Sequence, residues 1–381
     1  MRNFTFQNTT KIIFGKNTIS TIGKELKTAG IKKVMLVAGG GSIKNNGVYD
    51  TCITSLMASD IEWIESWGVR PNPLLSHVND VVVMARTEKV DAILAVGGGS
   101  VIDSAKAIAA GFYMDNLWDA FENFEMVTKA LPLFTILTIS ATGSEMNPFA
   151  VITNDESNKK WAFGGPACAP VTSIINPECQ MSLPWKQTAC GAVDALAHIM
   201  EFYFIGTNEE PTIAIDEALM RSVIKVTNIL QQNEKDYAAR SSLAWSATMA
   251  LNGMSGISLK NGDWTSHTLE HAISALHPTV AHAEGLSVMF PAWIRYTHKA
   301  NPDQYLRWAK EVWQEDSVEE AVKAMIEQFK KWKMPTTLKD LKLSSDDISS
   351  LVENAALRGN SMGVVMPLDL DDIKEIYTLA L

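Results

Sequence analysis

The sequence is short of positive charge, of cysteine and of long apolar runs, and each shortage excludes something. Lysine and arginine number 33 against 43 aspartate and glutamate, a formal net charge of −10, with no long basic run to offset it. This argues against nucleic acid or an anionic membrane surface as the main partner, because a field of that sign repels both. Any anionic ligand must be held by local donors. The longest strongly apolar stretch, around residues 131–139, falls far short of the roughly 20 residues that cross a bilayer. The opening segment MRNFTFQNTTKII lacks the apolar core of a secretory signal. The four cysteines, Cys52, Cys168, Cys179 and Cys190, include no C-x-x-C pair. They read as reduced, mostly buried side chains, and the expected location is cytoplasmic.

What is present is a large, core-forming chain. At 381 residues and 46% hydrophobic composition it exceeds one typical core, so two domains are expected. Up to about residue 180, short β-branched runs alternate with glycine turns and helical stretches. Lys33–Ala38, Ile61–Trp67, Asp91–Val96 and Leu133–Ile139 read as strands. Strands alternating with helices predict a parallel sheet of α/β type over residues 1–180. After Leu183-Pro184 the apolar residues recur with a 3.6-residue period and strand-like runs disappear. Residues 181–381 are therefore expected to be all-helical, with a cleft beside them as the natural site.

Two Gly-Gly-Gly-Ser turns each follow an apolar strand: Gly39, Gly40, Gly41 and Ser42, then Gly97, Gly98, Gly99 and Ser100. Glycines let a backbone approach a ligand closely, and a helix opening there offers free N–H groups to a phosphate. At the second turn Ser100 is expected to cap the helix, with Asp103 completing a capping box. Neither turn matches G-x-G-x-x-G, yet two in one α/β domain favour a dinucleotide over a bare strand–helix turn. The first turn carries no acidic residue to accept hydrogen bonds from an adenosine ribose, and Lys44 follows closely. NADP(H) is accordingly favoured over NAD(H).

The second half holds metal-competent side chains. Asp194 and His198 stand four apart in GAVDALAHIMEF, as do His267 and His271 in DWTSHTLEH, and His282 follows. An i, i+4 spacing puts both members of a pair on one helix face. One carboxylate with two or three imidazoles suits Fe²⁺ or Zn²⁺ and is poor for Ca²⁺ or Mg²⁺. Asp194 lies between Val193 and Ala195 on an apolar helix, where a carboxylate needs a cation, a metal or a cap.

GGGSVIDSAK, SATGSE, DALAH and HTLEH…HPTVAHAEGL, in this order and spacing, resemble the iron-containing (group III) alcohol dehydrogenases. The closest branch by motif is that of the butanol dehydrogenases and broad-range aldehyde reductases. The resemblance covers essentially the whole chain. It implies the architecture shared with dehydroquinate synthase: an α/β dinucleotide-binding domain, then an all-α domain, with one divalent metal. By motif position the metal ligands would be Asp194, His198, His267 and His282, with His271 a non-ligating neighbour close to the substrate. The first glycine turn would meet the adenosine end of the cofactor and the second its pyrophosphate. Asp103, Thr138, Ser140 and Thr142 would belong to the same site, with Lys160 near a ribose; by itself, NDESNKKW reads as a solvated loop. The gap from His267 to His282 is one residue longer than the family pattern, and Ala283 replaces a usual glycine. His277 thus rivals His282, which is preferred because HAEGL occupies the ligand-bearing position.

The implied reaction is reversible hydride transfer between a nicotinamide cofactor and a small primary alcohol or aldehyde. His271 would relay the proton, since its unperturbed pKa is near neutrality. A homodimer is implied, with Ile12–Phe14 a strand available to its interface. Polyol-phosphate dehydrogenases and dehydroquinate-synthase-like lyases are the alternative on this fold. A phosphorylated substrate would need a cationic pocket, and residues 190–285 show no basic cluster.

Overall fold

The computed structural model describes residues 1–123, 126–259, 261–359 and 361–381. Two compact units emerge. One comprises Gln7–Leu183 with Asn233–Thr248, the other Met1–Phe6, Pro184–Gln232 and Met249–Leu381. Relative to the division at residue 180, the segment 233–248 joins the first unit for a packing reason. Ala244 lies in the core of that unit, and Thr248 Oγ1 donates to the buried Glu145 Oε1 at 2.5 Å. Trp245, on the same segment, is 38% exposed and meets Phe14 edge-on.

The first unit is built on strands β1 (Lys11–Phe14), β2 (Lys33–Ala38), β3 (Glu62–Ser66), β4 (Ala92–Gly97), β5 (Leu133–Leu137) and β8 (Thr172–Ile175), with a hairpin of β6 (Phe149–Asn154) and β7 (Lys159–Gly164). The six-stranded sheet runs β1-β8-β5-β4-β2-β3, and all its pairs are parallel. Alternate side chains feed two separate cores. Met35, Val37, Ile93 and Ala95 enter one; Val34, Leu36, Ala38, Leu94 and Val96 enter the other. Covering on both faces is why β2 and β4 read as unbroken apolar runs. Ile12–Phe14, offered as an interface strand, pairs in parallel with β8 of its own sheet.

Helix α1 (Gly99–Gly111) follows β4. It carries Lys106, whose side chain is wholly buried. Lys106 Nζ donates to Ser144 Oγ at 2.8 Å, Asn147 Oδ1 at 3.1 Å and Phe149 O at 2.6 Å. Asp103, one helical turn earlier, accepts from Ser144 Oγ and from Val151 N. The pair thus ties the loop after β5 and the hairpin to α1. Burial pulls the Lys106 ammonium down to about 8, with Asp103 opposing.

The other unit is helical. Its main elements here are α2 (Trp185–Tyr203), α3 (Thr265–Leu276) and α4 (His282–Thr297). Asn301 Nδ2 donates to the carbonyls of Phe204 and Gly206 just past the end of α2, satisfying groups that a helix terminus leaves open. No helix among the described residues is long and apolar enough to cross a membrane.

Lys106→Met should lower stability in urea denaturation by about 3–5 kcal/mol, the cost of leaving a buried charge such as Asp103 without its partner. A loss below about 1 kcal/mol would show that the network does not hold the loop.

Candidate metal centre and nucleotide turns

The two glycine turns close neighbouring strands. β2 and β4 are hydrogen-bonded partners, with Ala38 opposite Val96, so Gly39–Ser42 and Gly97–Ser100 lie side by side at the carboxyl edge of the sheet. From β2 the chain winds outward to β3, and from β4 it winds the other way to β5. This reversal is the topological switch point, where open α/β sheets bind ligands. β5 is the next neighbour and delivers Thr138, Ser140 and Thr142, with Thr138 N donating to Gly97 O at 2.9 Å.

The turns share a sequence but not a reason for it. A Cβ on Gly97 would lie 2.5 Å from Val101 Cγ2, and one on Gly99 would lie 2.5 Å from Thr142 Cγ2. These glycines are required by the chain's own packing. In the first turn Gly41 is left-handed at φ 99°, while Gly40 has nothing within 4 Å of a Cβ. Gly40 and Ser42 are exposed, which leaves that backbone open to close approach.

The capping box expected at Ser100 and Asp103 is not formed. Gly98 is the N-cap residue and no side chain caps the helix. Because α1 starts at Gly99, Ser100 is already inside it, and Asp103 is committed to Ser144 and Val151. The first amides of α1 therefore carry no side-chain cap, as a phosphate-binding helix start requires. Ser140 Oγ accepts from Gln180 Nε2 at 2.7 Å. Lys160 does not lie in a solvated loop: it pairs with Thr153 in the hairpin and is only 5% exposed. Lys44 Nζ sits over the rings of Trp67, at 4.1 Å, and Tyr49, at 5.1 Å. The nearby Glu65 accepts from Tyr49 Oη, Trp63 Nε1 and Trp67 Nε1. Burial pushes its carboxyl up, but these donors and Lys44 outweigh it and hold the group below its usual range.

In the helical unit, α2 presents Asp194 and His198 on one face, with His198 Nδ1 4.0 Å from Asp194 Oδ2. α3 presents His267 and His271, and α4 opens on His282. Donor atoms of Asp194, His267 and His282 all lie within 4.8 Å of one another. His282 Nε2 is 3.6 Å from Asp194 Oδ1. His198 stands beside this trio, its ring stacked on that of His267 at 4.9 Å. His271 is half-buried, 5.4 Å from the His282 ring. His277 ends α3, where its N–H donates to Ile273 O; it joins neither convergent donor group found among the described residues.

The residues present fit a divalent cation. His267 Nε2 is buried without a hydrogen-bond partner, an expensive state unless something binds there. Burial, reinforced by the rings of His267 and His282, holds His198 well below its ordinary pKa. A neutral imidazole is the form that ligates a metal.

Two buried carboxylates that contact the candidate ligands escaped the sequence reading. Glu201, wholly buried on α2, accepts from His267 Nδ1 at 2.7 Å, from Trp264 N at 2.6 Å and from His267 N at 3.3 Å. Glu270, equally buried on α3, meets His282 Nδ1. The desolvation argument that singled out Asp194 applies equally to both, and would have found them.

The chain matches the family model "Iron-containing alcohol dehydrogenase" over residues 9–177 and "Fe-containing alcohol dehydrogenase family, C-terminal" over residues 188–381. It is 36% identical to NADH-dependent butanol dehydrogenase A of Clostridium acetobutylicum, across 99% of both chains. It is 31% identical to an NADPH-dependent aldehyde reductase of Escherichia coli, across 100% of both. The crystal structure of NADH-dependent butanol dehydrogenase A from Thermotoga maritima superposes with a TM-score of 0.97 at 46% identity, covering 100% of this chain and 99% of that one.

Asp194→Ala and His282→Ala are expected to abolish stoichiometric retention of a divalent cation after dialysis, read by atomic emission, while His277→Ala keeps it. Loss of the ion from His277→Ala and not from His282→Ala would exchange their roles.

Proposed function

The chain belongs to the iron-containing alcohol dehydrogenase family, and on that premise we propose that Asp194, His198, His267 and His282 hold one divalent cation, Fe²⁺ or Zn²⁺. The protein is an NAD(P)-dependent oxidoreductase that interconverts small primary alcohols and aldehydes. Two of its relatives act in name on butanol and on aldehydes, which favours an unphosphorylated substrate. The observation that carries the metal reading is the convergence of Asp194, His267 and His282 within 4.8 Å. When bound, the cation supplies Lewis-acid polarisation of an alcohol or carbonyl oxygen, and the nicotinamide supplies or accepts the hydride.

The chain's own residues do the rest. The unit of Gln7–Leu183 with Asn233–Thr248 serves as the dinucleotide-binding domain, and the helical unit serves as the metal and substrate domain. Gly39–Ser42 receive the adenosine end and Gly97–Ser100 the pyrophosphate, with Thr138, Ser140 and Thr142 along the cofactor and Lys160 at a ribose. Asp103 acts from behind, holding Ser144 and Val151 in place. NADP(H) is favoured: the first turn carries no carboxylate, and Glu65 is committed to Tyr49, Trp63 and Trp67. His271, half-buried beside His282, carries the proton between the substrate oxygen and solvent. The protein is cytoplasmic and dimeric in this reading, with β1 at the sheet edge available to a second copy.

The test is oxidation of NADPH, and of NADH in parallel, with butanal, on metal-stripped protein and after adding Fe²⁺ or Zn²⁺. Activity restored by metal and stronger with NADPH is expected; faster turnover with NADH would reverse the cofactor preference alone. His271→Ala should lower turnover about 10²-fold, the usual share of a proton-transferring side chain, at unchanged metal content. Parallel loss of metal would make His271 a ligand instead.

A further inference from the structure

Glu270 is a wholly buried carboxylate on α3, set between His267 and His271, and neither the metal set nor the cofactor turns use it. Its Oε2 meets Nδ1 of His282 across the contact between α3 and α4. The other nitrogen of the same ring, Nε2, faces Asp194 Oδ1 at 3.6 Å. The ring of His282 thus stands between two carboxylates, one at each nitrogen. Room for this comes from Gly285, one turn after His282. A Cβ there would lie 2.6 Å from Glu270 Cγ and 3.2 Å from its Oε1, so any larger residue would push the carboxylate off its place. The glycine of HAEGL is therefore explained by a side chain of the neighbouring helix.

We propose that Glu270 is a positioning residue for His282: it accepts the Nδ1 proton, fixes the tautomer that offers Nε2 to the cation, and needs the space at Gly285 to do so. The inference rests on the metal reading above. An imidazole that ligates through one nitrogen carries its proton on the other, and an acceptor fixed at that proton sets ring orientation and raises ligand basicity. Glu201 makes the matching contact to His267, but it also holds the start of α3, so its replacement would mix folding with binding. Glu270 separates the two. Donor atoms of Glu270, His271 and His282 also lie within 4.8 Å of one another, so a second cation is the competing role for this carboxylate. The contact of Glu270 with His282 Nδ1 favours positioning.

The test titrates Co²⁺ into the metal-stripped full chain, followed by its visible absorption and by equilibrium dialysis. Wild type is compared with Glu270→Leu, Glu270→Gln and Gly285→Ala. One Co²⁺ per wild-type chain is expected, bound about 10–100-fold more weakly in Glu270→Leu with a shifted absorption band. Glu270→Gln, which still offers an oxygen to Nδ1–H, should recover most of the affinity. Gly285→Ala should weaken binding in the same direction. Unchanged affinity in Glu270→Leu with its metal-free fold intact would overturn the proposal. So would two ions per wild-type chain, one of them lost in Glu270→Leu. If Glu270→Leu does not fold, unchanged affinity in Gly285→Ala overturns it. A wild type that binds no Co²⁺ would instead overturn the metal reading.

Discussion

Glu201 is the contact on which the convergence of Asp194, His267 and His282 depends. One carboxylate, buried on the helix that carries Asp194 and His198, accepts from two backbone amides at the start of the helix that carries His267, and from the His267 ring itself. The donors are amides that the first turn of a helix leaves without intrahelical partners. Charge-assisted hydrogen bonds of this kind are about twice as strong as neutral ones. They fix α3 against α2, so that a pair of donor side chains written four residues apart on one helix meets a third from far along the chain. Burial raises the pKa of Glu201, and the His267 hydrogen bond works against that rise.

Asp263 adds a second anchor at the same point. Its Oδ1 accepts from Thr265 N and its Oδ2 from Val364 N and Val365 N, joining the C-terminal stretch to the start of α3. Trp264 between these two acids takes a left-handed backbone at φ 60°, a conformation uncommon for a large side chain. The local strain is held by hydrogen bonds on both sides of it. The His267 ring is thus placed by its backbone and by its side chain together, which is the preorganisation a ligand needs.

The strands and helices that follow from hydrophobic period were legible, and those set by long-range pairing were not. β2 and β4 show as apolar runs because both faces of the sheet are covered. The hairpin β6–β7 did not show, because Asn154–Lys160 is all polar, and only its pairing with Phe149–Asn154 buries Lys160. β8 is four residues of TSII, too short for a period to emerge. At the metal centre the i, i+4 pairs were readable because spacing on a helix fixes direction. Which of His277 and His282 comes near Asp194 and His267 was not readable from spacing. It depends on how α3 ends: His277 N closes on Ile273 O and Val280 N on His277 O, a turn that absorbs the extra residue before α4 begins.

The two Gly-Gly-Gly-Ser turns mark where a motif stops being evidence. Read as sequence they are equivalent, and both invite a phosphate. In space, Gly97 and Gly99 are fully explained by Val101 and Thr142 pressing on them, so their glycines say nothing by themselves about a ligand. What points to a ligand there is the helix start without a side-chain cap, beside a strand where the winding of the sheet reverses. Gly40 is the opposite case: no neighbour requires it, its φ is unexceptional, and it is exposed. A residue that the fold does not need to be glycine, on a turn at the carboxyl edge of the sheet, is better evidence of close approach by a cofactor than two glycines that the fold demands.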